Sequence, residues 1–436
     1  MKKLCLALSL FTLAIPSFAQ INVKLQEKLD QQASAIETQV IEWRRYFHEH
    51  PELSNREVKT GEKIAELLRS FGIEVIHPVA KTGVLGILKG GLPGPVVALR
   101  ADIDGLPVTE RNPNLSFASK ERSMFNGQET GVMHACGHDS HMAILLGVAQ
   151  ILAKNKSDIK GTVKFFFQPA EEGPPAGEEG GAALMIKEGV LDNPKVDVVF
   201  GLHIQSMVPL GTINYRPGAF MAAPGGFTIK VNGKQAHGAT PWYGVDPIVV
   251  SSQIVLGLQT IISRQTELTK LPAVLTIGSL HSGIRGNIMP EEATMMGTTR
   301  TFDLEMQKIL HDKIRLTATQ IAESAGATAD VKINDGYPPT YNDPALTEKM
   351  VPSLKRAAGD KNVLLVNPVT MAEDFASYQQ KVPGLFFFLG AHNPEAKFET
   401  QPIHHTPDFL IDERAFKLGI KAMLYLTFDY MYAPKK

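Results

Sequence analysis

Within eight residues, His134-Ala135-Cys136-Gly137-His138-Asp139-Ser140-His141, the chain places three imidazoles, a thiol and a carboxylate. Each is a group that can ligate a divalent transition metal, and a thiolate favours a soft ion such as zinc. Cys136 is one of two cysteines; the other, Cys5, falls in a segment expected to be removed. A thiol without a partner cannot form an internal disulfide. Metal ligation, nucleophilic catalysis or burial as a small hydrophobe are then its roles, and the flanking histidines favour ligation. Cys136 and His138 stand two apart, ahead of a helical pattern, where both side chains can converge on one ion.

Glu171-Glu172 is a second constellation. Adjacent carboxylates in an irregular segment after a strand can reach one site, one binding metal while the other takes a proton from water. Glu178 and Glu179, in the Gly/Pro-rich stretch that follows, read instead as a solvated acidic loop. His203 stands at the end of an apolar strand, which marks it as a ligand. In His404-His405-Thr406-Pro407 either histidine could complete the site, and spacing does not choose between them. Asp102 and Asp104 would point the same way along an extended chain and could orient a ligand histidine. A paired-metal site of this kind would serve amide hydrolysis. His237, just past a strand, reads from local context as a turn histidine.

The elements that must position these residues alternate. Val84 to Leu88, Val96 to Leu99, Thr162 to Phe167, Val196 to Leu202 and Gly384 to Leu389 read as strands, and Met142 to Leu152 as an apolar helix. Val23 to His50 reads as a long amphipathic helix broken at Pro51. Ser54 and Glu57 read as a capping box before a helix that Gly72 closes. The pattern predicts an α/β fold with a mostly parallel sheet flanked by helices. Three strands run directly into Asp102, Glu171 and His203, where the carboxyl ends of parallel strands form a crevice. From 218 to 336 the order is strand, helix, two strands, helix, strand, which predicts an inserted α+β, ferredoxin-like lid. The expected organisation is a discontinuous catalytic domain, 20–217 and 337–436, around a lid at 218–336.

Lys2 and Lys3, an apolar run from Leu4 to Ile15 and Pro16-Ser17-Phe18-Ala19 have the form of a signal peptide cleaved after Ala19. The expectation is export to the periplasm or the medium, with no later membrane span. A formal charge of −1 offers no case for nucleic acid or an anionic membrane as partner. No phosphate loop, dinucleotide fingerprint or nucleophile elbow is present, and a thiol oxidoreductase would need a partner cysteine.

In these residues the chain resembles the co-catalytic metallopeptidase family of aminoacylases and carboxypeptidase G-type enzymes. Within it the chain looks closest to hippurate hydrolases, N-acyl-amino-acid amidohydrolases and plant auxin-conjugate hydrolases. The matching segments include His50-Pro51-Glu52, Arg100 to Pro107, Met133 to His141, Phe167 to Glu172, Gly201-Leu202-His203 and Ala236-His237. Gly286 to Pro290, Gly297 to Arg300, Ala372 to Phe375 and His405-Thr406-Pro407 continue the match in order. The resemblance implies two divalent ions, Zn2+ or Mn2+ with Ni2+ or Co2+ as alternatives, held by Cys136, His138, Glu172, His203 and His405. It prefers His405 through its spacing to Pro407. It implies Glu171 as general base, Asp104 in support of the site, and His237, Asn287 and Arg300 as lid residues that touch an N-acyl amino acid or short peptide. It also implies a homodimer through the lid, in which His237 serves the neighbouring subunit. The chain departs from the family pattern at the long 173–180 segment, at Trp242 and at Ala372. Two rivals stand beside the amidohydrolase reading: an aminopeptidase or dipeptidase of the same fold, and a non-catalytic periplasmic protein that captures a solute or metal. The Glu171-Glu172 pair argues against the latter.

Overall fold

The structure is a computed structural model that describes residues 23–433. The expected signal segment lies outside the described residues. The largest sheet has eight strands, in the spatial order Glu74–Val79, Gly83–Lys89, Lys160–Gln168, Leu92–Asp102, Val198–Pro209, Gly384–His392, Ile213–Tyr215 and Val363–Leu365. The four central strands, 160–168 through 384–392, are mutually parallel; 83–89 and 213–215 join their two edges antiparallel, 74–79 pairs antiparallel with 83–89, and 363–365 pairs parallel with 213–215.

Period-two alternation gives these strands two apolar faces. Leu99, Phe165, Phe200 and Phe387 join the core beneath the helices Val23–Ala35, Glu37–Glu49, His138–Lys154 and Phe416–Tyr432. Ala98, Phe166, Val199 and Phe386 face the opposite way, onto Met185, Phe220, Phe375 and Tyr378. A sheet covered on both faces needs continuous apolar runs, which is what Phe165-Phe166-Phe167 and Phe386-Phe387-Phe388 supply. The α/β expectation holds, with helices on both faces of a mostly parallel sheet.

The residues of a second, four-stranded antiparallel sheet fall between strands of the first. Its order is Val274–Ser282, Glu292–Thr301, Ala223–Asn232, Thr328–Asn334. Helices Pro247–Gln265 and Leu304–Ser324 cover one face, and Ile229, Ile254, Leu258, Met295, Leu310 and Ile314 form a core of their own. Contrary to the expectation, Pro247–Gln265 is long and apolar enough to cross a membrane by composition. Its Val250, Ile254, Leu258 and Ile261 are buried, whereas Val249 and Leu256 are exposed.

Two local readings are corrected. The amphipathic stretch after Val23 is two helices, Val23–Ala35 and Glu37–Glu49. Ser54 and Glu57 form no capping box: the first turn of Val58–Ser70 is held by Glu52, whose Oε2 accepts from Thr60 N–H at 2.8 Å and Thr60 Oγ1 at 2.9 Å. Ser54 and Glu57 turn inward instead, Ser54 donating to Asp104 Oδ2 at 2.8 Å.

Candidate metal centre

Parallel strands put their carboxyl ends on one edge. Asp102 ends one strand, Gln168 ends its neighbour and leads into Glu171-Glu172, and His203 lies in the next. Facing them, the helix His138–Lys154 starts at Gly137, which adopts φ 93°. A Cβ there would meet Ile204 Cγ2 at 2.6 Å, so the corner that presents Cys136 and His138 requires glycine. His405, also left-handed at φ 64°, is fixed by its N–H to Ala135 O at 2.8 Å.

These corners bring the ligand-type atoms together. Cys136 Sγ lies 3.4 Å from His203 Nε2 and 3.3 Å from His405 Nε2. Glu172 Oε1 is 3.2 Å from His405 Nε2, and His138 Nε2 is 3.9 Å from both Glu171 Oε2 and Glu172 Oε1. Cys136, Glu172 and His405 offer atoms all within 4.8 Å of one another, as do His138, Glu171 and Glu172. His138 donates from Nδ1 to Asp104, carbonyl O at 2.9 Å and Oδ1 at 3.2 Å. His203 donates from Nδ1 to Ile204 O at 2.6 Å. In both rings the bonded Nδ1 leaves Nε2 facing the cluster.

Two neighbouring histidines, His141 and His404, have both ring nitrogens engaged. His141 Nδ1 pairs with Asp102 Oδ1 at 2.6 Å while its Nε2 accepts from Ile204 N–H at 2.8 Å. His404 Nε2 accepts from Ser206 N–H at 3.2 Å and its Nδ1 donates to Cys136 O at 3.2 Å. Neither ring has a free nitrogen; His404 lies within 4.8 Å of Cys136 and His203, but His405 Nε2 is the nitrogen set beside both Cys136 Sγ and Glu172 Oε1.

The residues fit a pair of cations. His138 Nε2 is buried without a hydrogen-bond partner, 3.9 Å from the two glutamates, an arrangement that is costly unless something else occupies the space between them. Sulfur, imidazole and carboxylate donors suit zinc and related ions. Burial and the neighbouring carboxylates Glu172, Glu171 and Asp102 push the Cys136 thiol well above its ordinary pKa. Burial disfavours charge on His138, yet Asp102 and Asp104 outweigh it and hold the ring up to about 10. Concentrated negative charge that retains a proton so strongly will also attract a metal cation.

Beside the cluster lies a second carboxylate group, in which Glu171 meets two residues without a role in the sequence expectations, Glu373 and Asp374. Glu171, Glu373 and Asp374 place oxygens within 4.8 Å of one another, and Asp374 N–H meets Glu171 Oε1 at 3.4 Å. Buried Arg100 holds them, reaching Glu373 at 2.9 Å, Asp374 at 3.0 Å and Asp102 at 2.5 Å. Burial, with Glu373 and Glu172 next in order, pushes Glu171 well above the carboxylate range; Glu373 rises to about 8. In the sequence, Arg100 and Glu373-Asp374 stood out only as members of segments that match the family, without a role. Asp102 and Asp104 serve different histidines, because the strand ends between them.

The remaining residues lie apart from the cluster. His237 is exposed on the short strand Ala236–His237, paired with Ile288–Met289; Gly238 N–H donates to Asn287 O at 2.9 Å. Asn287 is exposed as well. Arg300 donates to Thr370 O at 3.2 Å and to Thr298 Oγ1 at 2.7 Å. Glu178, expected to be merely solvated, pairs with Arg56 at 2.6 Å and with Lys81, so the 173–180 segment is tied down.

The sequence profile of peptidase family M20/M25/M40 matches residues 98–428, which include every cluster residue. The chain belongs to that family. It is 42% identical over 408 residues to "Thermostable carboxypeptidase 1" of Saccharolobus solfataricus, covering 93% of this chain and 99% of that protein. It is 41% identical over 318 residues to "N-acyl-L-amino acid amidohydrolase" of Geobacillus stearothermophilus, covering 73% and 81%. Among solved structures, the Bacillus subtilis YXEP protein, described as a dinuclear metal-binding peptidase of the M20 family, superposes with a TM-score of 0.74. It is 36% identical, with 91% of this chain and 98% of that one covered. The chain is therefore a metal-dependent amide hydrolase of this family.

Proposed function

We propose that this hydrolase is exported and cleaves the amide between an acyl group and an amino acid, using two divalent ions. The observation that carries the reading is the convergence of Cys136, His138, Glu172, His203 and His405 beside a further buried glutamate, Glu171. The two ions would be held by those five side chains, zinc suiting the thiolate and manganese, nickel or cobalt standing as alternatives. Once bound, they supply carbonyl polarisation and a more acidic water.

The residues of the chain do the rest. Glu171, tethered at Oε1 by Asp374 N–H, presents Oε2 to the cluster and takes the proton from the attacking water. Its raised pKa lets it hold that proton and pass it to the leaving nitrogen; neighbouring cations draw the value back toward the working range. Asp104 fixes the His138 ring, and Asp102 fixes His141 behind it.

His237 is the proposed oxyanion donor, a role worth about 3 kcal/mol, with Asn287 and Arg300 holding the substrate. Because His237 is exposed on the second sheet's flank, it is assigned to the site of a neighbouring subunit in a homodimer. The exposed Val249 and Leu256 of Pro247–Gln265, together with Leu280, support an apolar contact through this domain. A second reading, a peptidase acting on free peptides, is favoured by the similarity to a carboxypeptidase.

A panel of N-benzoyl and N-acetyl amino acids against free dipeptides, with metal-loaded and chelator-stripped protein, tests the proposal. Faster turnover of the acyl amino acids, lost on stripping, is expected. Preference for dipeptides would move the assignment to the peptidase. Sequencing the amino terminus of the protein recovered outside the cytoplasm should begin at Gln20.

A further inference from the structure

Glu57 is a fully buried carboxylate that neither ligates nor transfers a proton in the proposed reaction. It precedes the helix Val58–Ser70 without capping it. Its Oε1 accepts from Ala170 N–H at 2.9 Å, and its Oε2 accepts from the Thr82 hydroxyl at 2.6 Å. Ala170 is buried and left-handed, at φ 53°. A residue with a Cβ persists there only where its surroundings hold it. Pro169 has no N–H, so Ala170 carries the first backbone donor after the strand Lys160–Gln168. That donor is spent on a side chain 113 residues away.

We propose that Glu57 is a positioning residue that sets the corner at Ala170 and so aims Glu171 and Glu172 into the metal centre. Downstream of that corner the pair already has anchors, Glu172 N–H on Asp104 Oδ2 at 3.0 Å and Asp374 N–H on Glu171. Glu57 supplies the upstream anchor, and its second oxygen braces it on Thr82, beside the strand Gly83–Lys89. The geometry depends on reach rather than charge. A glutamine can accept from Ala170 N–H and donate to Thr82 Oγ1, whereas an aspartate is one methylene too short to hold both.

The inference rests on the proposed role of Glu172 as a ligand, and the test separates the two. Full-length protein is stripped of metal and its Zn2+ affinity measured by competition with a chromogenic chelator, alongside its thermal unfolding. Glu57→Gln should bind within about threefold of the wild type, whereas Glu57→Asp should bind about 10- to 100-fold more weakly while still unfolding cooperatively. Wild-type affinity in Glu57→Asp, or an equal loss in Glu57→Gln, would overturn the proposal. So would loss of the unfolding transition in Glu57→Asp, because Glu57 would then hold the fold and not the site. Wild-type affinity in Glu172→Ala would instead remove the ligand assignment, whatever the Glu57 variants do.

Discussion

Asp104 meets one face of His138 twice, its carbonyl oxygen 2.9 Å and its carboxylate 3.2 Å from Nδ1. The contact sets the tautomer and turns Nε2 toward Glu171 and Glu172. Asp104→Ala should therefore weaken divalent-ion affinity by about 10- to 100-fold, read by chelator competition. Unchanged affinity would show that the ring is held by packing alone.

Glu171 is assigned to proton transfer and not to ligation. Glu171→Gln keeps the shape and the Asp374 N–H contact but cannot accept a proton. Turnover should fall by at least about 10²-fold, with bound metal, measured by atomic absorption, at the wild-type level. Persisting turnover would reassign the base.

The adjacent histidines make a clean comparison. His405→Ala removes a nitrogen 3.3 Å from Cys136 Sγ, so metal content should drop. His404→Ala removes bonds to Ser206 N–H and Cys136 O and should cost stability, about 1–3 kcal/mol for the buried groups left unpaired, while retaining more metal than His405→Ala. The reverse order of metal loss would contradict this ligand set.

Ion binding should release protons. Without metal, His138 holds its proton to about pH 10 and Glu373 to about 8, so both are protonated at neutrality. A cation must displace the proton on His138 and lowers the proton affinity of the carboxylates beside it. His138 and the Cys136 thiol both stay protonated across pH 6 to 8, so each proton that binding releases should raise affinity about tenfold per pH unit over that range. Titration calorimetry in buffers of different ionisation enthalpy would count the protons; a count of zero would refute these charge states.

Arg100 is buried among Asp102, Glu373 and Asp374. Arg100→Met would leave Asp102 and Asp374 uncompensated, and the metal-free protein should lose about 3–5 kcal/mol in denaturant unfolding. A near-neutral effect would mean that the carboxyls simply take up protons.

The sequence by itself determined the α/β class, because a sheet buried on both faces needs runs such as Phe165-Phe166-Phe167, and it marked Cys136, His138 and Glu171-Glu172 through types and short spacings. Those signals are local. The family resemblance had preferred His405 to His404 through its spacing to Pro407, and tertiary structure gave the physical ground by showing what each ring meets. It removed His141 from the ligands by giving both nitrogens to Asp102 and Ile204. It joined Arg100 to Glu373 and to Asp374, the latter 274 residues away, and turned Glu57 from an expected cap into a brace for Ala170. Such contacts form only when remote segments pack, and a pattern along the chain carries no record of which buried polar group meets which.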